Sequence, residues 1–218
     1  MAFKRTLLAL GAALIAGGLW MAAPQRAMAA DTAAASATQD LPAIPDMSIG
    51  NPDAKVHVIE YLSFTCPHCE EFHATVWPKI KKNYIDNGKI RFTIREVYFD
   101  KYGLWAGMMA QCGGAMRYFG IVDMLYNKQR EWAGTSDPNQ AVANLRKIGL
   151  AAGISSADLD KCMTDGKMAQ AMVAKFQKDT AADHIEGTPS FVIDGTTHQN
   201  MGYEEFAKIL DAELAKSK

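Results

Sequence analysis

Two cysteines separated by two residues, in Cys66-Pro67-His68-Cys69, are the residues of this chain best suited to chemistry. They lie between an apolar run, residues 56–62, and a helical pattern of apolar residues that follows directly. A cysteine at the N-terminus of a helix faces unpaired backbone N–H groups and the positive end of the helix dipole, and both favour a thiolate. Because the thiolate is the nucleophile in disulfide exchange, the pattern predicts a redox-active pair in which Cys66 attacks and Cys69 resolves mixed disulfides.

Two other uses of such a pair stay open from the spacing. A C-x2-C pair is half of a zinc site, but the remaining cysteines, Cys112 and Cys162, stand singly and supply no second ligand pair. Buried structural cysteines are the other alternative. Pro67 suits the first helical turn, and the imidazole of His68 can stabilise a neighbouring thiolate. These two residues favour the redox interpretation, so we expect no metal.

The first 29 residues have the features of a secretory signal peptide. A basic start at Lys4 and Arg5 precedes an uncharged run, residues 6–23, and an A-x-A cleavage site that ends at Ala29. Retention of this run as an N-terminal anchor stays open, because its length reaches the lower bound for a membrane span. Export would place the protein in the periplasm, where disulfides persist.

Charge and composition bound the mature chain. Removal of residues 1–29 would leave 20 basic and 24 acidic residues, a formal charge of −4 without basic blocks. This balance argues against nucleic acid as a partner. Residues 30–45 are rich in Ala, Thr and Ser and show no apolar period, so we expect a flexible leader. The remainder, about 170 residues, is enough for one domain or for a domain with a large insertion.

Periodicity divides this remainder into three parts. Residues 46–101 contain a strand at 56–62, the helix that begins at the cysteine pair and is kinked by Pro78, and a second strand at 90–97.

Residues 102–186 carry helix signals and no convincing strand pattern, so we expect four or five helices there. Residues 187–218 return to a strand at 190–193, a hairpin turn at Asp194-Gly195 and an amphipathic terminal helix.

The segment 58–69, Val-Ile-Glu-Tyr-Leu-Ser-Phe-Thr-Cys-Pro-His-Cys, and the segment 187–192, Gly-Thr-Pro-Ser-Phe-Val, resemble the DsbA family of periplasmic thiol–disulfide oxidoreductases. The resemblance covers residues 49–218. It implies an α/β, thioredoxin-like fold with an inserted all-helical subdomain. It also implies an oxidase that donates its Cys66–Cys69 disulfide to unfolded or reduced exported proteins and needs no cofactor beyond that disulfide. An inner-membrane, quinone-linked partner would reoxidise it.

The same resemblance assigns roles outside the cysteine pair. The bare sequence predicts a trans Thr188–Pro189 bond, whereas the family places a cis-proline beside the cysteines to present backbone to an extended substrate. Glu60 lies in an otherwise apolar strand, where an acid is costly unless it is paired. The resemblance makes it the buried acid that helps to move the proton of Cys69. Apart from the resemblance, Arg95 is the partner that we suggest for it. A glutamate that reaches solvent at the strand edge is the alternative.

The remaining cysteines and the rival functions complete the predictions. Cys112 and Cys162 are an even pair in an oxidising compartment, which is most simply a structural disulfide, although free buried cysteines stay open. A disulfide isomerase or reductase of the same superfamily is the nearest rival function. Isomerases of that kind usually dimerise through an added N-terminal domain, and residues 30–45 are too few to form one, so we expect a monomer. A thiol-based metal-binding protein or chaperone is the rival from another class.

Overall fold

The structure, a computed structural model, describes residues 41–216. The expected signal peptide, residues 1–29, and most of the expected leader, residues 30–45, lie outside the described residues. In chain order the strands are β1 (Met47–Gly50), β2 (Val56–Leu62), β3 (Ile90–Glu96), β4 (Ser190–Ile193) and β5 (Thr196–Gln199). The α-helices are α1 (Pro67–Thr75), α2 (Trp77–Ile80), α3 (Lys101–Cys112), α4 (Ala115–Asn127), α5 (Gln129–Ala133), α6 (Pro138–Ala151), α7 (Ser156–Met163), α8 (Gly166–Ala182) and α9 (Tyr203–Lys216), and a π-helical turn, Lys81–Ile85, follows α2.

The strands of the described region form one mixed sheet in the order β1-β3-β2-β4-β5. β2 and β3 run parallel, as expected for strands joined by a helical crossover, while β1 and β4 are antiparallel to their neighbours. The predicted bounds of β2 are the observed bounds. β1 was not predicted, because its four residues, Met-Ser-Ile-Gly, lack the apolar run that marks the equally short β4.

Both faces of the central strand are covered, as its continuous apolar run predicts. Val58 and Leu62 on one face belong to the main core, with the aromatic side chains of Phe72, Phe191 and Phe206. On the other face Tyr61 packs in a smaller cluster with residues that include the partly buried Phe176 of α8. The cysteine pair at the end of β2 is therefore held by a strand that is fixed from both sides.

The helix that follows the cysteine pair is interrupted near Pro78, as predicted. α1 ends at Thr75, and α2 begins at Trp77 with Pro78 in its first turn. A proline cannot donate the backbone hydrogen bond that would continue a helix, so the chain restarts the helix around it. The apolar stripe is buried throughout its length, from Cys69 to Tyr84. The break therefore leaves the core-facing side intact.

The insertion between β3 and β4 is entirely helical in the structure, but its helices number six and not the four or five expected. The extra element is α5, whose five residues are too few to show a helical period. We call the segment from α3 to α8, residues 101–182, the helical insertion. A two-residue hairpin turn, with positive φ at Asp194 and Gly195, then joins β4 to β5, as predicted. No helix among residues 41–216 is long and apolar enough to cross a membrane.

Candidate active site

Cys66 occupies the N-cap of α1, four residues after the end of β2. Its backbone is extended, with φ −79° and ψ 122°, and Pro67 is the first helical residue. The Cys66 amide donates to the Ser63 carbonyl at 3.1 Å, and its carbonyl accepts from the Glu70 amide at 3.2 Å. Cys66 is partly exposed, whereas Cys69, one turn into the helix, is fully buried. The two thiols, which are not linked in this structure, thus have very different surroundings.

The environment of Cys66 lowers the pKa of its thiol to about 5. The largest contribution is a hydrogen bond from the Cys69 thiol, which burial of the site opposes. Further donors are the Thr188 hydroxyl and the backbone N–H groups of Cys69 and His68. These groups make Cys66 a thiolate at neutral pH, which is the reactive form in disulfide exchange.

Cys69 is affected in the opposite direction. Burial raises the pKa of its thiol far above the ordinary value, and the hydrogen bond to Cys66 and the charge of Glu60 raise it further. Cys69 therefore holds its proton while Cys66 carries the negative charge. The structure gives this pair the attacking and resolving arrangement that the spacing predicts.

His68 enters this arrangement through its backbone. Its N–H is one of the donors that lower the Cys66 pKa, and its side chain is exposed to solvent, as is that of Pro67. The predicted stabilisation of the thiolate by the His68 imidazole stays a prediction.

The loop before β4 lies against the cysteine pair. The Thr188–Pro189 bond is cis in the structure, and the Cys66 thiol donates to the Thr188 carbonyl at 3.3 Å. Pro189 is buried. The Thr188 hydroxyl is also buried, and it has no hydrogen-bond partner among the described residues. The same side chain lowers the pKa of the Cys66 thiol, so the ionised sulfur is the acceptor available to this hydroxyl.

Glu60 is completely buried on β2, and its partner is not the one expected. Both of its carboxyl oxygens lie 3.2 Å from Nε2 of His73 on α1. The suggested pairing with Arg95 is wrong. In the parallel register Glu60 is opposite Ile94 and Arg95 is opposite Tyr61, so Arg95 projects from the other face of the sheet. There it binds acidic residues of its own, among them Asp183 at 2.9 Å.

Sequence reasoning missed the residues that fasten the active-site loop. Nε2 of Gln129, on α5 of the helical insertion, donates to the carbonyl of Phe64 at 2.9 Å and to that of Cys66 at 3.0 Å. The hydroxyl of Tyr126, on α4, donates to the carbonyl of Ser63 at 3.1 Å. Gln129 is only 6% exposed, and a single sequence offers no signal for it. The helical insertion is therefore part of the active-site support.

Cys112 and Cys162 are joined by a disulfide whose Cα atoms lie 5.9 Å apart. The bond links the end of α3 to α7, both within the helical insertion. Across residues 41–216 the His, Cys, Asp and Glu side chains form no group of three or more that could hold a metal ion.

With this geometry established, comparison with known proteins decides the family. The family model described as thioredoxin matches residues 43–212. The crystal structure of alpha-DsbA1 from Wolbachia pipientis superposes with a TM-score of 0.74 at 27% identity, covering 83% of this chain and 96% of that chain. This chain belongs to the DsbA family of thioredoxin-like proteins. The thioredoxin-like fold with a helical insertion is thereby confirmed.

Two relatives of the chain carry names that describe a chemistry. One relative is a protein of Rickettsia bellii whose name describes an inferred protein-disulfide oxidoreductase. It is 32% identical to this chain over 174 residues, which cover 79% of this chain and 66% of the relative. A Bacillus anthracis protein, named by inference disulfide bond formation protein D, is 26% identical over 78% of each chain. The chain spans slightly less than two thirds of the length of the rickettsial relatives that it matches.

Proposed function

We propose that this DsbA-family protein is a thiol–disulfide oxidase that donates its Cys66–Cys69 disulfide to other proteins. A substrate thiolate attacks the Cys66 sulfur, the Cys66–Cys69 bond breaks, and its electron pair passes to Cys69, which takes up a proton. A second substrate thiolate then attacks the substrate sulfur of the mixed disulfide and releases Cys66 as a thiolate. The substrate loses two electrons, and the enzyme disulfide gains them.

The observation that carries this proposal is the low pKa of Cys66, about 5. At pH 7 a thiol whose pKa falls from an ordinary value to this one stabilises the reduced enzyme by a factor of about 100. For a two-electron couple this factor raises the reduction potential by about 60 mV. Because the reduced form is the stabilised one, the disulfide form is a strong donor, as an oxidase requires.

The proposed substrates are unfolded or reduced exported proteins, and the proposed compartment is the periplasm. The signal-peptide features of residues 1–29 support export, and the relatives' names support disulfide chemistry. Each turnover leaves the enzyme reduced, so we propose an inner-membrane, quinone-linked partner that reoxidises it. We propose that the protein acts as a monomer.

The reduction potential of the Cys66–Cys69 couple, equilibrated with glutathione, is the most direct test. We expect a potential well above that of glutathione, together with faster oxidation of a reduced, unfolded ribonuclease than rearrangement of a scrambled one. A potential near that of a reducing thioredoxin, about −270 mV, would remove the oxidase proposal. Preferential rearrangement of the scrambled protein would favour an isomerase. Stoichiometric metal in the protein as purified would favour a metal-binding role.

A further inference from the structure

Cys69 is too deeply buried to exchange its proton with bulk water directly. Its thiol is fully covered, yet the proposed reaction requires it to gain a proton in one half of the cycle and to lose it in the other. Its titratable neighbours include Glu60, whose charge acts on the thiol, and Tyr126, whose pKa Cys69 raises. Burial raises the pKa of Tyr126 well above its usual range, so this phenol is a poor proton donor or acceptor near neutral pH. Glu60 is the suitable group.

Glu60 alone cannot complete the transfer, because it is also fully buried. Among the described residues its carboxyl group hydrogen bonds to His73, at 3.2 Å from each oxygen. His73 follows Cys69 by four residues on α1, so both side chains lie on the same face of that helix. Glu60 thus interacts with Cys69 and hydrogen bonds to His73, so it can connect the two side chains.

The imidazole of His73 is held rigidly. It stacks on Tyr126 with ring centroids 4.4 Å apart and lies 5.4 Å from the ring of Trp77. Its Nε2 is directed to Glu60, whereas its Nδ1 is buried and has no hydrogen-bond partner among residues 41–216. A buried polar nitrogen without a protein partner is uncommon and calls for an explanation.

A groove lies beside this ring. A solvent-open cavity of about 470 Å³ is lined by His73, Trp77 and Tyr126, with Glu70, Lys81 and Asp123 as its charged lining residues. Burial raises the pKa of Asp123, and the charge of His73 and a hydrogen bond from Trp77 oppose that shift. The cavity is large enough for several water molecules. The imidazole therefore lies between the buried acid and a region that solvent can enter.

We propose that His73 connects the buried acid Glu60 to this groove and so completes a proton relay from Cys69 to solvent. The inference rests on the proposed oxidase function and names the route that the proton takes. When Cys69 leaves as a thiolate it takes a proton from Glu60, Glu60 takes one from Nε2 of His73, and the ring is reprotonated at Nδ1 from water in the groove. During reoxidation the same steps run backwards. A histidine suits this position because its two nitrogens can accept and donate on opposite sides of one ring.

Single-turnover resolution of a mixed disulfide tests the relay. The reduced full-length protein is mixed with oxidised glutathione, and formation of the Cys66–Cys69 disulfide is followed through release of the second glutathione over a range of pH. This step requires Cys69 to lose its proton. We expect H73Q, which keeps an amide of similar reach beside Glu60, to slow the step at neutral pH by about 100-fold, a usual contribution of a positioned acid or base. The matched control is H198Q, which removes a histidine from β5 and should leave the rate unchanged.

Chemical rescue separates proton transfer from packing. H73A opens space for one imidazole molecule beside the groove, so added imidazole should restore its resolution rate. Added imidazole should not restore the resolution rate of E60Q, because this variant lacks the acid between Cys69 and His73. Thiolate absorbance should show an unaltered Cys66 pKa in H73Q, because the largest contributions to that pKa come from Cys69, Thr188 and backbone N–H groups.

Two outcomes would overturn the relay. One is an H73Q rate within about twofold of wild type across the pH range. The other is a slow resolution rate in H73A that added imidazole does not restore and whose pH dependence is that of wild type. This result would mean that the ring acts only by packing. If H73A does not fold, H73Q alone decides. A wild-type protein that oxidises no dithiol substrate would remove the proposed function instead, so the two failures are distinguishable.

Discussion

Replacing Thr188 by valine tests the electrostatic basis of the proposed oxidase function. The Thr188 side chain lowers the pKa of Cys66, as a hydroxyl donor to the thiolate would, and in the thiol form the hydroxyl has no hydrogen-bond partner among the described residues. Valine has almost the same shape and no hydroxyl. The Thr188 carbonyl, 3.3 Å from the Cys66 sulfur, stays in place. The substitution therefore removes one donor to the thiolate and little else.

The size of the effect follows from the strength of a hydrogen bond to a charged group, about 1.5–3 kcal/mol. Cys66 is partly exposed, so we take the lower end, which corresponds to a pKa rise of about one unit. We expect the Cys66 pKa to move from about 5 to about 6 in T188V. At pH 7 the reduced enzyme then loses about a factor of ten in stabilisation, and the potential falls by about 30 mV.

Ultraviolet absorbance of the thiolate, titrated against pH in the reduced protein, measures the pKa, and equilibration with glutathione measures the potential. T188S is the control, because it keeps the hydroxyl and should titrate like wild type. At a pH below the Cys66 pKa the folded, reduced T188V protein should be no less stable than wild type, since the hydroxyl it loses is unpaired in the thiol form. An unchanged midpoint and potential in T188V would refute the assignment of Thr188 as a donor to Cys66.

Three further predictions concern stability. The folded pKa of Cys66, about 5, is below its unfolded value of about 8.5, so urea unfolding should show the reduced form gaining stability relative to the disulfide form as pH rises from about 5 to about 8. Replacing Cys112 and Cys162 by serine removes a disulfide with a sequence separation of 50. The free energy of unfolding should fall by about 4 kcal/mol in the chain-entropy model. A change in the pKa of Cys66 in this variant would contradict a purely structural role of the disulfide. Q129A removes the side-chain donor of the Phe64 carbonyl and one of the two donors of the Cys66 carbonyl, and it should cost about 1–3 kcal/mol. Q140A, at an exposed position of α6, is the control. Equal melting temperatures of Q129A and wild type would refute a stabilising role of Gln129 at the active-site loop.

The sequence predicts those parts of the fold that follow from local pattern. The bounds of β2 follow from one continuous apolar run, and the break in the helix follows from Pro78. The six helices of the insertion were undercounted because α5 is shorter than one and a half helical periods. The same short helix carries Gln129, which could not be predicted because its hydrogen bonds to the active-site loop join residues more than sixty positions apart in the sequence.

The candidate site was predictable to the extent that motifs carry it. The cysteine pair and the Thr188-Pro189 segment are recognisable at sequence level, but the partner of Glu60 depends on which face of the sheet each side chain occupies. Strand alternation would have excluded Arg95 once the register with β3 was known. The four-residue spacing from Cys69 to His73 is visible in the sequence. Only the packing of α1 on β2 shows that the histidine reaches the acid.

The separation in sequence of the groups around Cys66 bears on the order in which the protein becomes active. Synthesis runs from the N-terminus, so the cysteine pair is made long before Gln129 and, at a separation of 122 residues, before Thr188. A nascent chain that ends before Thr188 lacks one of the donors to the thiolate, and one that ends before Gln129 lacks the clamp on its loop. Its cysteines are then closer to ordinary thiols. The full lowering of the Cys66 pKa is thus reached only after Thr188, just before β4, has been made and has folded against the cysteine pair.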